Sequence, residues 1–258
     1  MVSRDAPCLS VLVLTEDRAG DSHKTLVALV KRMFLLVDGR CGTHRIRFEP
    51  SNAGAQVAMH GNLWKSTDER NRLKRVILGK AIAEKLMEGG ECPGFTLFHF
   101  DGDRVWSDRA SCENTPKFEA FVQRYVEPLV VAILKKNGMA DEAVERMRRL
   151  RRLTPFYSIE AWLYQNTIEA RRLCATACGR HMEMIKEWEE DRGALDEISK
   201  PKEVLCLKDR CSHELASHGF PQEQAFAVGK SYADTVMRLI ECAELCAAIV
   251  RTYTAENP

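Results

Sequence analysis

The sequence predicts an α/β fold: a mostly parallel sheet flanked by helices, followed by a helical C-terminal region. Three observations carry this. Residues 9–15, LSVLVLT, and 95–100, FTLFHF, are short, continuous apolar runs without alternation, as strands buried on both faces of a parallel sheet are. Each run ends in acids, Glu16-Asp17 after the first and Asp101-Gly102-Asp103 after the second. Beyond residue 167 only helical patterns follow.

Element by element, the first run leads into Gly20-Asp21-Ser22, a turn with a helix cap. In the following HKTLVALVKRMFLL, the residues Leu26, Leu29, Val30, Met33 and Phe34 recur at helical spacing. Strand, acidic loop and capped helix make the opening half of a βαβ unit. The stretch THRIRFEP, from Thr43, alternates as an edge or second strand would, and residues 52–63, with Gly54 and Gly61, resemble a loop. Ser66-Thr67-Asp68-Glu69 opens an amphipathic helix to about Met87. Its apolar face is read as Leu73, Val76, Ile77, Ala81 and Leu86, and Arg70, Arg72, Lys74 and Arg75 crowd its first half. Gly89-Gly90 stops it.

A further helix is expected from about Pro116 to Lys136, with Pro128 dividing or kinking it. Residues 139–153 read as another, with Ala143, Met147 and Leu150 inward and Arg146, Arg148, Arg149, Arg151 and Arg152 outward, ended by Thr154-Pro155. The acid-rich segment 183–197 reads as a solvated helix running into a turn, and residues 222–252 as one long closing helix. The expected division is an α/β domain over residues 1–168 and a helical region over 169–258 packed on it.

Composition narrows the class. A chain of 258 residues with 45% hydrophobic content is large enough for one large domain or two small ones, and is neither disordered nor collagen-like. No stretch approaches the roughly 20 apolar residues of a membrane span. The N-terminus lacks the long apolar region of a secretory signal, so a cytoplasmic protein is expected. Lys+Arg 38 against Asp+Glu 37 leaves a net charge of +1, which hides two arginine-rich helix faces. Such a face is either solvated surface or a track for a nucleic-acid backbone. The run Arg146–Arg152 leads straight toward residue 160 and is the candidate track. There is no base-reading motif. The ten cysteines fit a reduced interior. Cys206, Cys211, His213 and His218 come nearest to a zinc cluster but lack a Cys-x-x-Cys knuckle.

Parallel sheets collect ligands at the carboxyl ends of their strands, so Glu16, Asp101 and Asp103 are expected to meet there. Residues two apart in an extended segment share a side, which lets Asp101 and Asp103 share a cation. Gly102 between them would let the backbone turn and a phosphate approach. Clustered carboxylates repel one another, and a hard divalent cation relieves this. Mg²⁺ takes such oxygen ligands and completes its shell with water and substrate phosphate, the arrangement that activates water in phosphodiester cleavage. Acids also end strands simply because solvent begins there. His99 falls on the Asp101 side, as a core histidine or as a wall of the site. His23 and Lys24 open the first helix beside Glu16, where a helix N-terminus holds phosphate or a turn is merely solvated. Trp162 and Leu163 read as core.

A strand ending in Glu, a helix, and a later strand ending in Asp-x-Asp resembles the Toprim (topoisomerase–primase) superfamily. The segments SIEAWLYQN, 158–166, and SKPKEVL, 199–205, are similar to segments of small free-standing bacterial Toprim-like proteins. Those proteins are related in their core to the overcoming-lysogenization-defect nucleases, and many are found near defence systems. The resemblance spans about residues 9–205. It implies a metal-dependent nuclease in which Glu16 is acid or base and metal ligand. Asp101 and Asp103 would hold Mg²⁺ (or Mn²⁺), with Glu160 close to the metal. The Pro-Lys segment supplies Lys202, a candidate electrostatic aid at a scissile phosphate. The chain departs from its relatives in having Asp17 rather than Gly after the first Glu, and Asn166 rather than Asp. The implied partners are DNA or RNA, with an ATPase or other defence-system subunit. The rival readings are a non-catalytic partner or sensor subunit, and a module that binds nucleic acid through its basic faces alone.

Overall fold

The computed structural model describes residues 7–16, 21–50, 55, 58–59, 69–103, 114–197, 207 and 211–254 of the 258. Four strands form one all-parallel sheet: β1 (Leu9–Thr15), β2 (Ile46–Pro50), β3 (Gly94–His99) and β4 (Leu150–Leu153), in the order β2-β1-β3-β4. The two apolar runs are the central strands. Every side chain of β1 and β3 is buried, because helices cover both faces and each buried Leu, Val or Phe contributes about 1.5–3 kcal/mol.

Odd-numbered residues Leu9, Val11, Val13, Phe95 and Leu97 face one core, shared with Leu26, Leu29, Val30 and Met33 of α1 (Ser22–Val37). Leu12, Leu14 and Phe98 face the other. There they meet Leu78, Ile82 and Leu86 of α2 (Glu69–Met87) and Phe118 and Phe121 of α3 (Asn114–Phe121). Val130 and Leu134 of α4 (Glu127–Lys136) complete that core.

The apolar face of α2 lies elsewhere than expected. Leu73 (59% exposed), Val76 and Ile77 are exposed, and Leu78, Ile82 and Ala83 are buried instead, while Leu86 is buried and Ala81 packs on the core as expected. The helix carries two apolar stripes, and the sheet takes the one that also buries Lys85. Its Nζ is neutralised by Glu49 Oε2 (2.5 Å) and Glu88 Oε1 (2.7 Å) and donates to Ser10 Oγ (2.9 Å). The 116–136 helix is divided as expected: a π-helical turn, Val122–Val126, separates α3 from α4, and Pro128 lies in the first turn of α4. Proline has no N–H to continue the ladder, and the wider turn absorbs the break. Most of 52–63 lies outside the described residues, but Ala55, Ala58 and Met59 are helical and buried in the second core.

The helix expected over 139–153 is a correction. A 3₁₀ turn (Ala140–Glu142) and a short α5 (Ala143–Met147) give way to β4, whose sequence is LRRL. Tertiary partners decide this. Thr96 N–H donates to Arg149 O at 3.0 Å, and the Arg149 side chain is taken up by Glu244 and Glu88 O.

After β4 come α6 (Glu160–Leu163), α7 (Thr167–Ala177) and α8 (Met182–Glu190). A 3₁₀ segment (Arg192–Glu197) and α9 (Ser212–Ser217) follow. The 183–197 segment is only half solvated, since Ile185, Trp188, Leu195 and Asp196 are buried. The single closing helix is a second correction: α10 (Gln222–Val228), α11 (Lys230–Ile240) and α12 (Ala243–Thr254) replace it. Asp196 accepts the backbone N–H of Lys230 (2.7 Å) and of Ser231 (3.2 Å). The first donors of α11 are thus capped from outside, and the chain breaks at Gly229.

The core on the α1 face runs without interruption from β1 to Ile249. Across residue 168, Asn166 caps α7 by accepting Glu169 N–H and donates to Leu215 O and His218 O. Among the described residues no helix is long and apolar enough to cross a membrane.

Candidate functional site

Because β1 and β3 are neighbours, with Thr15 paired to His99, their exits are side by side. Glu16 and Asp101 therefore meet although 85 residues separate them: Asp101 N–H donates to Glu16 Oε1 at 2.5 Å. The Asp101 carboxylate points back over the α1 face. Its Oδ1 accepts Ile159 N–H at 3.2 Å and lies 3.6 Å from His99 Nε2.

Residues 101–103 continue the β3–β4 pairing beyond the strands. Gly102 N–H donates to Pro155 O (3.2 Å) and Asp103 N–H to Tyr157 O (3.0 Å). A Cβ at position 102 would lie 1.9 Å from Phe156 O. Glycine is required there by the neighbouring main chain, which corrects the expectation that it opens space for a phosphate. Asp103 has φ +55°, a left-handed conformation that ends the extended segment. The same-side argument for Asp101 and Asp103 therefore fails. Asn114 links them instead, its Nδ2 donating to Asp101 O (2.8 Å) and to Asp103 Oδ2 (3.1 Å).

His99 is fully buried, with Nδ1 3.1 Å from Thr15 Oγ1. Burial pushes its pKa down to about 4, against the opposing pull of the Glu160 charge, so the ring is neutral near pH 7. Glu160 opens α6 and is buried. Neither Glu160 Oε2 nor His99 Nε2 has a hydrogen-bond partner among the described residues. The fold fixes α6 from behind: Trp162 Nε1 donates to Ser231 Oγ (2.8 Å), which donates in turn to Asp196. Trp162 and Leu163 are core, as the sequence indicates.

Native proteins leave few buried polar atoms unpaired. The Glu160 oxygen and the His99 nitrogen are two such atoms near the exits of β1 and β3, and oxygen donors of the kind Glu16 and Asp101 offer are those a hard divalent cation takes. Among the described residues, the one group of three such ligand atoms within 4.8 Å of each other lies elsewhere, at Glu169, Glu214 and His218. Arg172 already holds that group, with Nη2 2.7 Å from Glu169 Oε1 and 2.8 Å from Glu214 Oε2. Its guanidinium keeps the Glu169 carboxyl below its ordinary value. His218 thus joins acids, not Cys211, while Cys206 lies outside the described residues. Lys202, the 199–205 segment and Asp17 also lie outside them.

The expected cationic track along Arg146–Arg152 is a further correction. It is not one helix face, and three of its five arginines are matched by acids within the chain. Arg146 pairs with Glu142 (2.8 Å), Arg149 with Glu244 (2.8 Å) and Arg152 with Glu119 (3.6 Å). The sequence reading missed Thr15, Asn114 and the Ile159 N–H. Only Asn114 carried a signal, as a capping-type residue two before Pro116. No family model, no curated protein and no solved structure matches this chain.

Proposed function

We propose that this chain is a Toprim-type, divalent-metal-dependent nuclease that hydrolyses phosphodiester bonds of DNA or RNA in antiviral defence. The observation that carries the chemistry is the meeting of Glu16 and Asp101 at the ends of adjacent parallel strands, with Asp101 beside the buried His99, on which the Glu160 charge also acts. The defence setting rests on the sequence resemblance alone. Glu16 and Asp101 would hold Mg²⁺ or Mn²⁺, which when bound supplies an activated water and stabilises the leaving oxygen, and Asp103 is tied to the Asp101 main chain through Asn114. The chain's own groups have separate tasks. The Asp101 N–H fixes the Glu16 carboxylate for proton transfer. Ile159 N–H holds the Asp101 carboxylate, and the His99 ring packs beside it. Glu160 adds a buried carboxyl group near His99, and the main chain of 155–157 keeps the Asp-Gly-Asp strip rigid.

The test is cleavage of DNA and RNA panels with Mg²⁺ or Mn²⁺ by wild type and by Asp101→Ala/Asp103→Ala. Activity is expected in the first and not in the second, and equal activity would overturn the assignment. The internal pairing of Arg146, Arg149 and Arg152 favours a second reading, a non-catalytic subunit docking an ATPase or other partner. It predicts no cleavage with any divalent metal, and a biological effect that survives Glu16→Ala.

A further inference from the structure

On the same sheet face, lined by none of the carboxylates, lies a cavity of about 540 Å³. Its wall is one side of α1, from His23 and Lys24 through Val27, Lys31 and Arg32 to Leu35. It is closed by Thr43 and Phe48 at β2 and by His213, Ala216 and Ser217 of α9. The volume falls in the range of about 300–1,000 Å³ typical of small-molecule sites.

The chemistry of the lining is one-sided. Three permanent cations and two histidines face it, and none of the lining residues is acidic. The acid that reaches one of them is Asp21, 3.2 Å from Lys24 Nζ, and that pair is exposed. Arg32 is fixed in place by donating to Ser217 O at 3.1 Å, which ties α1 to α9. Lys31 lies over the Phe48 ring, 5.5 Å from its centre. His23 Nε2 is buried without a hydrogen-bond partner among the described residues. Cations that line one cavity repel one another, and a multiply charged anion relieves that repulsion. The first turn of α1 adds its N-terminal dipole at the His23–Lys24 end. Interleaved with the charges, Val27, Ala28, Leu35, Ala216 and the Phe48 ring provide an apolar surface.

We infer that this cavity binds a phosphorylated small molecule of nucleotide size, its phosphates on Lys24, Lys31 and Arg32 and its apolar body against Val27, Leu35 and Phe48. Its three walls, polar and apolar groups intermixed, offer a compact ligand both charge and an apolar surface. The site shares no residue with the Glu16–Asp101 cluster, so its occupancy does not depend on the nuclease reading.

The experiment is isothermal titration of the full chain with ATP in EDTA, alongside adenosine and tripolyphosphate. Wild type is expected to bind ATP at one site, more tightly than tripolyphosphate, and not to bind adenosine. Lys24→Glu/Lys31→Glu, checked for folding by circular dichroism, is expected to weaken ATP binding at least about tenfold, as reversal of two phosphate contacts should. Lys135→Glu/Lys136→Glu, on exposed α4, and Asp101→Ala/Asp103→Ala should bind as wild type does. Absence of ATP binding by wild type would overturn the inference, and so would unchanged binding by the Lys24/Lys31 variant. Tripolyphosphate binding as tightly as ATP would remove the nucleotide assignment. So would a short single-stranded oligonucleotide that binds through Lys24 and Lys31 where ATP does not.

Discussion

Asp101 donates its main-chain N–H to Glu16 Oε1 at 2.5 Å, so the acid after β1 is oriented by the backbone after β3. A main-chain donor cannot swing away, and it fixes the direction of the carboxylate while a reaction uses its charge. Glu16→Gln keeps an acceptor at the same place and removes the charge. Thermal stability should stay within about 2 °C of wild type, while metal-dependent cleavage should fall by about 100-fold or more. Calorimetry and initial rates on the same preparation check this. A parallel loss of Tm and rate would assign Glu16 a structural role only.

Gly102 faces Phe156 O so closely that any Cβ would have to push the 155–157 segment away. Gly102→Ala should cost more than about 3 kcal/mol, the range reserved for forced main-chain movement, and denaturant unfolding measures it. The shift would also displace Ile159 N–H from Asp101. Cleavage should therefore fall in the fraction that remains folded. A stable, fully active variant would show that the two segments are not held as described.

The central strands were legible because continuous apolar runs have one good explanation when both sheet faces are covered. So were the meeting of Glu16 with Asp101 and the division of the chain at Pro128. β4 was not legible. LRRL continues a helical arginine pattern, and what turns it into a strand is Glu244, 95 residues away, together with the edge of β3. The break at Gly229 was equally hidden, since its cause is the cap from Asp196. Within the site, Asp103 defeated the two-residue periodicity by adopting positive φ, a choice made by contacts to Tyr157 and Asn114. Local pattern thus identified the acids but not the orientation of each.

Arg149 gives a direct measure of how far the arginine run is structural. Its guanidinium donates to both Glu244 oxygens, at 2.8 and 2.9 Å, and to Glu88 O at 2.9 Å. Arg149→Met takes both guanidinium donors from a half-buried carboxylate and should cost about 1–3 kcal/mol. Glu244→Gln should restore part of that loss in the double variant. A double-mutant cycle by urea unfolding reports the coupling. If Arg149→Met leaves stability unchanged but weakens nucleic-acid binding and its salt slope, the run is a binding track after all.

The joint between α1 and α12 should respond to acid. Asp38, at the end of α1, accepts Arg40 N–H (2.9 Å), two guanidinium donors of Arg40 (both 3.2 Å) and the Tyr253 hydroxyl (2.8 Å). The Arg40 hydrogen bonds hold its pKa at about 2, below the ordinary 3.8. A carboxyl group depressed on folding stabilises the folded state fully above its unfolded value and loses that contribution as pH falls through its folded value. The window is therefore about 3.8 down to about 2. At pH 7, Asp38→Asn should lower Tm by about 2–4 °C. The gap to wild type should narrow below about pH 3.8 and be nearly closed near pH 2. Because other carboxylates titrate in the same range, the readout is the difference between the two proteins at each pH. A gap that stays constant down to pH 2 would mean that the Asp38 charge contributes nothing, and that the neutral hydrogen bonds alone hold α12 to the end of α1.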